Sequence, residues 1–104
     1  MNEIFCHGRY HVQTIAVEMR MSHWINAPIV VRISDGAVML DLSDDVWDLC
    51  QVNEAGDTLV LVMRKYSGRT NKIELGIFPE LNRYSLQGEV KTQEELLLAL
   101  QAYP

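Results

Sequence analysis

The chain has 104 residues, 48% of them apolar and 22% charged, with a formal net charge of −5. That length suits one domain over residues 1–104, and that composition excludes an intrinsically disordered chain. No basic run or long apolar stretch follows Met1, and no apolar run approaches the roughly 20 residues a membrane-spanning helix needs, so a cytoplasmic protein without a membrane partner is expected.

In chain order, residues 10–26 carry two overlapping patterns. Val12, Ile15, Ala16 and Met19 fit one face of a helix, with Asn26 near its end and Pro28 beyond it; Ile15, Val17, Met19 and Met21 fit a strand. The helix is the expected form. Between Pro28 and Ser43 the pattern is plainer. Ile29, Val31 and Ile33, then Val38, Leu40 and Leu42, alternate on either side of Asp35-Gly36. That predicts a hairpin closed by a two-residue type I′ turn, with Ser34 opposite Ala37, Ile33 opposite Val38 and Val31 opposite Leu40.

A second hairpin is predicted from Val46–Asn53 and Thr58–Tyr66 around the loop Glu54-Ala55-Gly56-Asp57. Leu59 to Met63 is unbroken apolar sequence, the pattern of a central strand covered on both faces. Ile73, Leu75 and Ile77 mark a further strand stopped by Pro79, and Tyr84 and Leu86 a short one ended by Gly88. Thr92 with Glu95 three residues on is a capping box, and Leu96, Ala99, Leu100 and Tyr103 form the apolar stripe of a C-terminal helix. The fold expected is α+β: a mostly antiparallel β-meander sheet of about five to six strands carrying that helix and an N-terminal helix.

The charge is unevenly placed. Residues 1–34 hold Arg9, Arg20 and Arg32 against Glu3 and Glu18, and residues 58–104 are nearly balanced. Between them stand Asp35, Asp41, Asp44, Asp45, Asp48, Glu54 and Asp57, with no Lys or Arg in the interval. Gripping nucleic acid requires clustered cations, so no nucleic-acid partner is expected. Carboxylates of one sign around an aromatic residue, here Trp47, suit an electrostatically steered protein interface. Alternation also pairs Trp47 with Leu49 on one face, which is equally the pattern of a core residue.

No catalytic or cofactor set emerges. Cys6, His7, His11 and His23 lack the second close pair of a zinc site, and Cys50 stands alone. Cys6, His11 and Asp41 could be assembled on paper into a nucleophilic triad, but nothing in their spacing joins them. Asp44, Asp45 and Asp48 do not follow the ligand alternation of a calcium loop, and no glycine-rich phosphate loop is present. Thiols rather than a disulfide are expected at Cys6 and Cys50.

The acidic block Asp35–Asp57, the stretch Lys72-Ile73-Glu74-Leu75-Gly76-Ile77-Phe78 with Tyr84, and the helix Thr92–Tyr103 together give an outline that resembles the small bacterial immunity proteins of contact-dependent inhibition and related polymorphic toxin systems. The resemblance implies a non-enzymatic protein whose acidic surface blocks a basic toxin domain, a nuclease, by standing in for phosphate. Asp41, Asp44, Asp45 and Asp48 would form its centre, Asp35, Glu54 and Asp57 its outer members, and Trp47 its anchor. The rival readings are an interaction module dimerising through an edge strand such as Lys72–Phe78, and a small enzyme or ligand-binding domain using His7, His11 or His23.

Overall fold

Val12, Thr14, Ile15 and Val17 are β-branched, and the computed structural model places them in a strand, β2 (Tyr10–Glu18), rather than in the expected helix. The structure describes residues 2–19, 23–43, 46–66, 72–78 and 83–102. β2 pairs antiparallel with β3 (Trp24–Arg32) from Tyr10 opposite Arg32 to Glu18 opposite Trp24, and with β1 (Asn2–Phe5) on its other side. Tyr10 and Val12 enter the core at a spacing of two. A helix would have satisfied the same apolar residues locally. What decides against it is the unbroken ladder offered by β3.

The hairpin expected after Pro28 forms between β3 and β4 (Val38–Asp41), but with another register. Val30 lies opposite Leu40 and Val31 opposite Val38, so Met39 is the extra residue of a bulge. The turn is longer than two residues: the Gly36 amide donates to the Arg32 carbonyl at 2.8 Å, and of Asp35 and Gly36 only Gly36 takes a positive φ, +72°. The type I′ turn is therefore corrected, since it needs both residues left-handed. The bulge sends consecutive residues, Met39 and Leu40, into the core and turns Ile29, Val31, Ile33 and Val38 outward. Of the alternating run that predicted the hairpin, only Leu40 and Leu42 are buried.

β5 (Trp47–Ala55) and β6 (Thr58–Lys65) close around Gly56-Asp57, a two-residue turn where four residues were expected, with Gly56 at φ +64°. Leu59, Leu61 and Met63 are buried, whereas Val60 and Val62 on the other face are only partly covered. β7 (Ile73–Ile77), β8 (Tyr84–Leu86) and β9 (Glu89–Lys91) follow in sequence. β1-β2-β3-β4 form one antiparallel sheet and β5-β6-β7-β8-β9 another, so the single meander sheet becomes two, and β9 was not foreseen. β7 lies between β6 and β8, which removes Lys72–Phe78 as an edge for dimerisation. The fold is α+β in the coarse sense of antiparallel sheet with one C-terminal helix, α1 (Gln93–Gln101). Its Thr92 hydroxyl accepts from the Glu95 amide and the Glu95 carboxylate from the Thr92 amide, the reciprocal cap that was expected. Leu96 and Leu100 hold the helix to the sheet; Tyr103 lies outside the described residues.

Inner residues of both sheets share one core, including Tyr10, Val12, Leu40, Trp47, Leu61 and Leu75. Two tyrosines in it differ in a testable way. The Tyr84 hydroxyl donates to the Met39 carbonyl and ties the two sheets together, while the buried Tyr10 hydroxyl has no hydrogen-bond partner among the described residues. Tyr84→Phe is expected to cost about 1–2 kcal/mol and Tyr10→Phe to be neutral or to stabilise by up to about 1 kcal/mol, measured from denaturant midpoints. Burial raises both phenols above the ordinary 10.0. The neutral forms are thus favoured in the fold: their contribution is complete below pH 10 and is lost as pH rises through the raised values.

Candidate functional site

The acidic segment does not converge on one patch. β5 runs from Trp47 at one end of the molecule to Ala55 at the other, so Asp48 and Glu54 stand roughly 20 Å apart along the strand. Asp35, Glu54 and Asp57 gather at the end formed by the β1–β2, β3–β4 and β5–β6 turns. There the Asp35 carboxylate accepts from Arg32 at 2.5 and 3.0 Å and from the Ala37 amide at 3.1 Å. The hydrogen bonds from the Arg32 guanidinium, with that of Ala37, hold Asp35 down at a pKa of about 2. Asp57 faces Arg9 at 3.6 Å, and Glu54 accepts from the Cys6 amide at 2.8 Å.

Asp48 is mostly covered and acts as a strut between the sheets. One oxygen accepts from the Asn26 amide of β3 at 2.8 Å, and the other lies 3.9 Å from Arg64. A bulge at Cys50 sets Asp48 opposite Arg64 in the β5–β6 ladder. Trp47 is 0% exposed, so its role as a surface anchor is corrected: it is core, as its alternation with Leu49 allowed.

Asp41 is different. It is exposed at the end of β4, and its carboxylate accepts from the Ser43 hydroxyl at 2.6 Å and the Ser43 amide at 3.0 Å. Those bonds lower its pKa, the hydroxyl first, so the group is ionised throughout the neutral range. Among the described residues no cation pairs with it. Asp44 and Asp45, three and four residues further on, lie outside the described residues.

Arg9, Arg32 and Arg64 are thus the residues that sequence reasoning missed. The Arg32-to-Asp35 spacing across a turn was visible locally, but the other two pairings depend on strand register and on the meeting of distant turns. A cavity of about 370 Å³ opens beside Arg9 and Arg32, lined also by Gly8, Tyr10, Ile33, Ser34 and Asp35. Asp35 engages the Arg32 guanidinium through two of its nitrogens, so the cavity does not present Arg32 as a free anion grip.

The other candidates stay apart. His11 contacts Asn2, and His23 packs near Tyr66 with ring centroids 6.2 Å apart. Among the described residues no three His, Cys, Asp or Glu side chains are grouped to hold a metal, and both cysteines are free, Cys6 buried and Cys50 exposed. Burial, then the charges of Glu54 and Asp57, raise the Cys6 thiol, which keeps it protonated and a poor nucleophile. Among the described residues no helix is long and apolar enough to cross a membrane. Comparison with known proteins found no matching family model, no similar curated protein and no similar solved structure.

Proposed function

We propose that the chain is a non-enzymatic binding protein that neutralises a basic protein partner through the acidic edge beginning at Asp41, as the resemblance to immunity proteins implies. The observation that supports this is a difference among carboxylates. Asp35, Asp48 and Asp57 each face an arginine of their own chain, whereas Asp41 is exposed, ionised and without a cation among the described residues. An unneutralised carboxylate leading into Asp44-Asp45 attracts cationic surfaces and costs little to desolvate at a rim. A toxin domain with nuclease activity fits that chemistry, because its substrate groove must already bind phosphate.

The test is affinity capture from lysate of the source cells, comparing wild type with an Asp41/Asp44/Asp45→Asn variant at low and moderate salt. A basic domain retained by the wild type and released by the variant supports the proposal. The same partner held equally by both would move the site elsewhere. Retention of acidic or neutral proteins alone would remove the reading.

A further inference from the structure

Tryptophan is highly buried on average in folded chains, and the two here divide sharply. Trp47 is 0% exposed, whereas Trp24, the first residue of β3, is 61% exposed. Glu18 stands opposite Trp24 in the β2–β3 ladder, so the carboxylate and the indole leave the sheet on the same face. Glu18 is exposed as well, and among the described residues no cation pairs with it. This is the end of the molecule toward which the acidic segment runs. His23 packs near Tyr66, and the Tyr66 amide donates at 2.8 Å to the carbonyl of Val46, the residue that follows Asp45. β4 ends at Asp41, opposite Ile29, and nearer the start of β3 the Asn26 amide donates to the Asp48 carboxylate rather than to a strand backbone. Trp24 lies five residues before Ile29, ~17 Å along the strand, and on the opposite face from Asp41. A partner that meets the sheet at this edge reaches both. That separation fits well within the breadth, roughly 30 Å, of an interface of about 800 Å² per partner.

We propose, resting on that functional reading, that Trp24 is the aromatic anchor of the interface the acidic edge steers, and that its indole receives a lysine or arginine side chain of the basic partner beside Glu18. Charge complementarity selects that occupant. The face of an indole attracts a cation through the ring quadrupole, and the attraction grows as water leaves. A carboxylate directly across the strand pair then supplies the counter-charge. An apolar or acidic partner would instead strip water from Glu18 and leave it unpaired. Arg64 does not fill this role from within the chain, since it faces Asp48 at 3.9 Å. The anchor and the acidic edge have separable kinetic signatures. Rim carboxylates act on the association rate and its salt dependence, whereas a desolvated aromatic anchor acts on dissociation.

Binding kinetics with the captured basic partner, at low and moderate salt, test it. Trp24→Ala should raise the dissociation rate at least tenfold. Its association rate and salt dependence should stay within about twofold of wild type, with an unfolding midpoint that shows the domain intact. Trp24→Phe, which keeps a ring, should recover part of the loss, and Glu18→Gln should raise dissociation by a smaller factor, about threefold. Incorporated fluorotryptophan gives a second readout that needs no destabilising change. Of the two fluorine resonances, the one absent from Trp24→Phe should shift when the partner is added, and the Trp47 resonance should stay in place. Dissociation of Trp24→Ala within about twofold of wild type, or a shift confined to the Trp47 resonance, would overturn the anchor and leave the acidic-edge reading standing. A wild type that captures no basic partner would remove both.

Discussion

Trp47→Ala should destabilise the domain by about 3–5 kcal/mol, the range for removing a large aromatic side chain from a packed core. Trp47 is 0% exposed and belongs to the cluster that joins the two sheets, with Leu49 beside it on the same face of β5. Small domains have only about 5–15 kcal/mol of stability in total, so the variant should unfold at a much lower denaturant concentration and populate unfolded chain near physiological temperature. Urea titration followed by circular dichroism measures this directly. A loss below about 1 kcal/mol would return Trp47 to the surface and restore it as an interface anchor.

Leu96→Ala should cost about 2–5 kcal/mol, and Leu98→Ala less than about 0.5 kcal/mol. The two residues share a helix and differ in what they touch. Leu96 is fully buried and, with Leu100, is how α1 is held to the sheet, while Leu98 is 64% exposed. A helix of nine residues is too short to persist alone, so losing its anchor should also lower the helical signal below that of the folded wild type. Equal effects from the two substitutions would show that the helix docks by another face.

Local chemistry was readable wherever one short segment settled the outcome. The Thr92-to-Glu95 box specifies its helix start because both hydrogen bonds close within four residues, and Gly56 marks its turn because a positive φ favours glycine there. Alternation also paired Trp47 with Leu49 on one face, and both are buried. The failures lie where distant chain decides. Val12, Ile15, Ala16 and Met19 satisfy a helical stripe by coincidence, and only the nine-residue ladder to β3 makes the segment a strand. The bulge at Met39 leaves no local mark either. It is tolerated because it buries both Met39 and Leu40, and it reverses which side of Ile29, Val31 and Ile33 meets solvent.

The candidate site divides the same way. Its seven carboxylates and missing cations were plain in the sequence, but their neutralisation was not. Asp48 meets Arg64 only through the register imposed by the Cys50 bulge, and Asp57 meets Arg9 only because two turns far apart in sequence share one end of the molecule. Charge counted along the chain therefore overstates the acidic surface, and among the described residues Asp41, with Glu54 at the opposite end of the molecule, is what remains once those pairs are set aside.

The most direct measurement of the central claim is the association rate of the chain with its captured partner, followed by stopped flow across ionic strength. Steering by the Asp41 edge predicts a wild-type rate that falls by about tenfold or more between low and moderate salt, with a visibly shallower dependence for Asp41/Asp44/Asp45→Asn. A rate indifferent to salt, or an equal slope for wild type and variant, would contradict the acidic-edge account.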